Sequence, residues 1–297
     1  MIKRVDELPA VVTCFAYRRE YFAEMEGMLA TIREHHPNWP IVAGRGPVDG
    51  FDLPTLEVES PSGKSHWTLP VPLNLDGSEN DWLKVVRVKG WWLAQVWRKC
   101  ADLVDPDHNR VVWADADARF NGSLDIEVEP KAEVIAGPWW HDRENTGLDT
   151  ICSGLLLFQG ARRGVVAQIL DRWSSNCLTQ IQSLPVQNKP WPDSDQEVLT
   201  EVLKSFSDSG AKFDLMKLEM DKYVGYPIKD GKLVKRALVD SWYMIEKMRL
   251  PEHRDAAWPP PEEFRRSAAI GTPLPGWDPD QDQNVDEPEQ TRNLEQG

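Results

Sequence analysis

Two aspartates spaced i, i+2 close an apolar run, Val111-Val112-Trp113-Ala114-Asp115-Ala116-Asp117-Ala118-Arg119-Phe120. Such a run reads as a buried strand of a parallel sheet. On extended backbone the spacing puts both carboxylates on one side. Like charges that close raise each other's pKa unless a cation lies between them. Oxygen-only ligands with few protein contacts suit Mg²⁺ or Mn²⁺, which keep some waters and complete their shell from a phosphate substrate. The carboxyl end of a strand is also where open α/β sheets place their ligands. A solvated acidic turn would show the same residues, so the pair alone leaves both readings standing.

Other residue groups along the chain could serve the same chemistry. Lys84, Arg87 and Lys89 cluster ahead of the Asp strand, where a diphosphate would need counter-charge; an exposed helical face would look alike. Cys152-Ser153-Gly154 precedes Leu155-Leu156-Leu157-Phe158, and a small residue with a Gly lets a ligand approach backbone closely. Pro138-Trp139-Trp140-His141-Asp142 reads as an aromatic-polar loop. Trp191-Pro192-Asp193-Ser194-Asp195-Gln196-Glu197 combines an apolar face with directional hydrogen-bonding groups, which is what a sugar site needs. Core burial accounts equally for each Trp, and a helix start accounts for Asp193 and Asp195. Asp240 ends a late apolar run, Ala237-Leu238-Val239.

The elements that must position these groups alternate. Residues 10–16 form a β-prone run, 18–36 carry apolar positions at helical spacing, and Pro37 stops that helix. Residues 40–44 and 56–58 read as further strands, a β-α-β opening typical of a parallel sheet with helices on its faces. Residues 61–82 read as a long loop and 83–104 as a helix. Residues 161–177 are helical, and Ser194 with Glu197 forms a capping box for a helix running to about Phe206. The predicted organisation is one α/β domain over 1–250 and a Pro-rich, then acidic, extended tail over 251–297.

Composition narrows the classes. The chain has 297 residues, 41% hydrophobic and 28% charged, which allows a substantial core. A net charge of −14 argues against a simple cationic groove for nucleic acid. Cys14, Cys100, Cys152 and Cys177 lie far apart without a C-x-x-C, which suits reduced thiols in a cytoplasmic protein. No leader or membrane-length apolar run is present in the sequence.

In this order, the features resemble the GT-A type glycosyltransferases, which use nucleotide-diphosphate sugars. The landmarks are the β-α-β opening at 10–44, the basic helix 84–104, Asp115-Ala116-Asp117, Ser153-Gly154 before an apolar strand, and Asp195-Gln196 at a helix start. The resemblance spans about residues 10–245. It implies a Rossmann-like, mostly parallel sheet, a donor of the UDP-sugar kind, and Mn²⁺ or Mg²⁺ at the D-x-D. Many such enzymes carry a late His as a further metal ligand; here Asp240 ends the late strand and His253 follows it.

Glycosyl transfer needs a neutralised diphosphate and a carboxylate near the sugar carbon. Asp115, Asp117 and Asp240 are the expected metal ligands, with Asp117 and Asp195 as catalytic carboxylates. Phe15, Ala16, Tyr17 and Arg18 would flank the nucleotide, together with Trp113 and Ala116. Arg87 and Lys89 would face the phosphates, and Ser153 and Gly154 would line the donor. Trp139, Trp140, His141, Trp191, Asp195 and Gln196 would contact sugar or acceptor. The acceptor stays open among glycan, small molecule and the hydroxymethylated base of viral DNA, the last reached by base flipping. An Asp-nucleophile phosphatase is disfavoured because Arg119 follows the second Asp by two. A nucleotidyltransferase is disfavoured because the loop after residue 14 lacks Gly, and a non-catalytic carbohydrate-binding module would use the tryptophans alone.

Overall fold

The computed structural model describes residues 3–4, 7–16, 19–45, 55–60, 63–68, 81–99, 103, 105, 107–141, 149–182, 194–220, 222–225, 228–229, 232–233 and 239–241. In chain order these form β1 (Lys3–Arg4), β2 (Val11–Ala16), α1 (Arg19–His35), β3 (Ile41–Arg45), β4 (Thr55–Ser60), β5 (Gly63–Thr68) and α2 (Asp81–Lys99). There follow β6 (His108–Ala114), β7 (Ala118–Phe120), β8 (Glu127–Val128), β9 (Val134–His141), β10 (Asp149–Ile151), β11 (Leu155–Ala161), α3 (Val165–Gln182) and α4 (Asp195–Asp208). The last strands are β12 (Asp214–Leu218), β13 (Val224–Gly225), β14 (Ile228–Lys229), β15 (Lys232–Leu233) and β16 (Val239–Ser241). The expected tail beyond residue 250 lies outside the described residues.

The main sheet runs β10-β9-β11-β6-β2-β3-β4-β5, with β12 also paired to β9. Strands β2, β3, β5, β6, β9 and β12 point one way, and β4, β10 and β11 the other. The sheet is therefore mixed, with most strands in one direction and the parallel ladder β3-β2-β6 at its centre. Central parallel strands are covered on both faces, which is why β2 is buried at all six positions and reads as an uninterrupted apolar run. The β2-α1-β3 and β3-to-β6 crossovers run in opposite directions along the sheet. Right-handed crossovers then put α1 on one face and α2 on the other. Trp92 of α2 packs on β2, donating its indole N–H to Thr13 at 2.8 Å.

Three expectations change. The polar stretch 61–82 contains β5, which pairs with β4 as a hairpin at the sheet edge; an edge strand needs no apolar face of its own to hold its ladder. Residues 138–141 continue β9 rather than forming a loop, with the Pro138 carbonyl accepting the Cys152 amide at 2.7 Å. The strand at 214–218 completes the β9 side of the sheet and was not anticipated. The capping box at α4 is present as expected, with the Glu197 carboxylate accepting the Ser194 amide at 2.7 Å. Among the described residues the tryptophans go largely into the core: Trp92, Trp97, Trp113 and Trp173 are all fully buried.

Candidate active site

The central strand β6 delivers the Asp pair to the sheet edge. Extended backbone ends at Ala114, and the chain then turns, with the Ala118 amide donating to the Asp115 carbonyl at 2.9 Å. The two carboxylates are thus brought together by a turn, not by strand alternation as the spacing suggests. The residues that do share a side through extended backbone are Trp113 and Asp115. The Trp113 indole donates to Asp115 Oδ1 at 2.8 Å. Neighbouring β11 approaches from the other side, and the Asp115 amide donates to the Gly154 carbonyl at 2.9 Å.

Lys89 organises the centre. It projects from α2 and is only 5% exposed. Its Nζ lies 2.9 Å from Asp115 Oδ1, 3.1 Å from Asp195 Oδ2, and 2.9 Å from Ser153 Oγ. Burial by itself would push the ammonium down, but the carboxylates of Asp115 and Asp195 offset this and hold it above the ordinary lysine range. The Ser153 carbonyl also accepts from this ammonium at 3.2 Å, so four oxygens crowd a group with three hydrogens. Lys89 therefore binds the carboxylates of the site instead of standing free for a phosphate. Arg87, two residues earlier on α2, faces elsewhere and donates to the Gln180 carbonyl of α3 at 3.4 Å.

Asp195 opens α4 and is 3% exposed, so the helix start that caps it also drives it into the site. Burial pushes its carboxyl up, and Lys89 pulls it back down. Asp117 is raised to about 7, mainly by burial, then by the charges of Asp115 and Glu24, with Arg119 acting against them. Cys152 stands close by, and burial pushes its thiol up to about 11, so it is protonated at neutral pH and no nucleophile.

The remaining expected residues separate into groups. Phe15 is buried between Trp92 and Trp113, with ring centroids 5.7 and 5.4 Å away, and Ala16 is buried beside it. Phe15 therefore packs the core under the site and is not an open platform for a base. Trp139 is 8% exposed, and the Lys217 ammonium lies 4.4 Å from its ring centroid. That ring face is covered, so stacking of a sugar on it is not what the fold presents. Gln196 donates to Glu197 at 3.1 Å. Trp140 and His141 occupy β9 opposite Thr150 and Asp149, and Asp240 sits in β16 opposite Arg119. Tyr17, Arg18, Trp191 and His253 lie outside the described residues.

An added Cβ at Gly154 would stand 3.4 Å from Asp115 Oδ2. The second oxygen of Asp115 thus faces the Ser153–Gly154 backbone, while Oδ1 is committed to Lys89 and Trp113. Among the described residues no group of three or more His, Cys, Asp or Glu side chains forms a ready-made metal cage. The D-x-D supplies two carboxylates, the small oxygen set that leaves room for waters and a phosphate. Sequence reasoning missed the Lys89 bridge and the roles of Glu24 and Arg119. The only visible signal was a charged residue, Arg119, just after the Asp pair in a strand.

No family model and no curated sequence matches the chain. Solved structures do resemble it in chain path, and they are glycosyltransferases. The galactosyltransferase LgtC, in complex with donor and acceptor sugar analogues, is 14% identical at a TM-score of 0.46 over 90% of this chain and 98% of that one. The glycosyltransferase GlyE of Streptococcus pneumoniae TIGR4 is 11% identical at 0.36, over 70% and 45%. The bifunctional glycosyltransferase WbbM is 11% identical at 0.42, over 79% and 45%.

Proposed function

We propose that this chain is a metal-dependent glycosyltransferase using a nucleotide-diphosphate sugar, of the UDP kind, with a hydroxyl acceptor. One observation carries the reading. Asp115 and Asp117 meet at the carboxyl end of the central strand, and a buried lysine joins Asp115 to Asp195 across that edge. Like charges held this close are costly unless the site serves to hold a cation or a reacting group.

The donor chemistry fits Mn²⁺ or Mg²⁺. Asp117 is raised by burial and then by the charges of Asp115 and Glu24, the behaviour of a carboxylate poised to exchange its proton for a metal. Asp115, oriented by Lys89 and Trp113, and Asp117 would hold the ion, with Asp240 as the further ligand. When bound, the ion would neutralise charge developing on the leaving diphosphate. Lys89 would keep three carboxylates tolerable in one site and fix the Ser153 carbonyl and hydroxyl that line the donor sugar. Asp195, raised by burial, would serve as the base or stabilising carboxylate near the sugar carbon. Arg18 and Tyr17 keep their proposed place beside the nucleotide, and Trp140, His141, Trp191 and Gln196 theirs beside sugar or acceptor.

The test is hydrolysis of a panel of sugar nucleotides without acceptor, with Mn²⁺, Mg²⁺ or chelator. Metal-dependent release of nucleoside diphosphate from one donor, lost in Asp117→Asn, supports the reading. Release that ignores chelator, or none with any donor together with no Mn²⁺ binding, refutes it. Intact-mass shifts across glycan, small-molecule and hydroxymethylated-DNA acceptors then identify the acceptor. Among the described residues no helix is long and apolar enough to cross a membrane.

A further inference from the structure

Arg119 leaves β7 two residues after Asp117, yet it does not reach into water. Its side chain is 11% exposed and lies against α1. Nη1 donates to the Glu24 carbonyl at 3.0 Å and to the Ala118 carbonyl at 2.7 Å, with the Ala116 carbonyl at 3.5 Å. Nη2 meets the Glu24 carboxylate at 2.8 Å. The helix can come this close because residue 27 has no side chain: an added Cβ would stand 2.7 Å from the Arg119 Cζ. Arg119 thus grips the chain on both sides of Asp117, at Ala116 and at Ala118, and ties it to α1.

We propose that Arg119, seated by Glu24 and Gly27, is the positioning residue that fixes Asp117 for the divalent ion. The proposal rests on the metal reading above. Packing of α1 onto β7 does not by itself call for this arrangement, because Thr31 already makes that tie: its hydroxyl accepts the Phe120 amide at 3.1 Å and donates to the Met28 carbonyl at 2.8 Å. A planar fork is required to reach three carbonyls and a carboxylate at once, and a lysine ammonium on a flexible stem does not reproduce it. Two residues on another element therefore set the geometry of one metal ligand, as outer partners do in metal sites generally.

The experiment measures Mn²⁺ affinity directly on the full chain without substrate, by the electron paramagnetic resonance of free Mn²⁺, beside the melting temperature without metal. Arg119→Met and Gly27→Ala should weaken Mn²⁺ binding by about 10–100-fold, with Arg119→Lys recovering only part of it. Thr31→Val should lower the melting temperature and leave Mn²⁺ affinity unchanged. Should Arg119→Met fail to fold, Gly27→Ala decides, since it removes no charge and adds a helix-favouring methyl. Wild-type affinity in Gly27→Ala and any folded Arg119 variant overturns the proposal, as does an equal loss in Thr31→Val. A wild-type chain that binds no Mn²⁺ removes the metal reading and this one with it, whereas a wild-type chain that binds separates the two.

Discussion

Lys89 of α2 and Asp195 of α4 are joined by a 3.1 Å ion pair in which both partners are buried. The same ammonium holds Asp115 of the central strand at 2.9 Å. Three elements far apart in sequence thus share one charge at the sheet edge. The arrangement has a net excess of carboxylate, with one cation for Asp115 and Asp195 and Asp117 beside them. That excess is what a divalent ion would balance.

Lys89→Met should be among the most damaging single changes. It leaves the buried Asp195 without its counter-charge, and breaking a buried pair this way costs about 3–5 kcal/mol. Lys89→Met combined with Asp195→Asn should recover part of that loss, because the orphaned charge is gone. Urea unfolding of the two variants checks it; equal stability of both would mean the pair is not coupled.

Asp115→Asn and Asp117→Asn should both abolish transfer, but with different costs to the fold. Asp115 is a partner of Lys89 and Trp113, so its variant should also lower stability. Asp117→Asn relieves a strained charge and should not. Melting curves beside product formation separate these effects; retention of chelator-sensitive turnover in either variant would remove that residue from the metal site.

Part of this was legible in the sequence, for physical reasons. Buried strand segments such as β2 and residues 111–114 of β6 announce themselves as apolar runs, and the Ser194–Glu197 capping box is a local hydrogen-bond pattern. The direction of β11 is not local. It runs antiparallel to β6 and is inserted between β6 and β9, and nothing in Leu155-Leu156-Leu157-Phe158 distinguishes that from a parallel strand. The Lys89 bridge was illegible for the same reason, since its three partners come from the end of β6, the turn before β11 and the start of α4. Phe15 could not be told from a surface aromatic until Trp92 and Trp113 were seen around it.

Gly44 is the point where β3 yields to Trp92. A Cβ there would stand 2.6 Å from Cζ3 of the indole. Trp92 cannot easily retreat, because it is held by Thr13, whose hydroxyl in turn donates to the Val42 carbonyl at 2.8 Å. Gly44→Ala should therefore destabilise by about 1–3 kcal/mol, the usual range for overpacking. Thermal or urea unfolding checks this, and a neutral result would mean that α2 shifts freely on the sheet.

Asp240 lies across the β7–β16 ladder from Arg119, which follows Asp117 by two residues. As the further ligand, it should lose about 10–100-fold in Mn²⁺ affinity on change to Asn. Titration of activity against Mn²⁺ reads this directly, and an unshifted midpoint leaves water or His253 as the completing ligand.

The pH dependence of the metal-free protein has a definite sign. Asp117 is raised in the fold to about 7 from its ordinary 3.8. Between those values the folded chain holds a proton that the unfolded chain has released. Stability from this group is then fully present below pH 4 and is lost as pH rises through about 7. Asp105 works the other way: its carboxylate accepts the Asp107 and His108 amides at 2.7 and 3.1 Å, which holds it below the usual range. Its contribution is lost only as pH falls well into the acid range, outside the window of Asp117. Asp117→Asn cannot ionise, so its stability advantage over wild type should be small near pH 4, grow as pH rises, and level off above about 7. Adding Mn²⁺ at pH 8 should stabilise wild type and not the variant, because the ion balances the charge of the ionised Asp117. Metal-free melting temperatures of both proteins across pH 5–8 decide the matter. Parallel curves would mean that Asp117 ionises normally, and the case for a cation at that carboxylate would lose its electrostatic support.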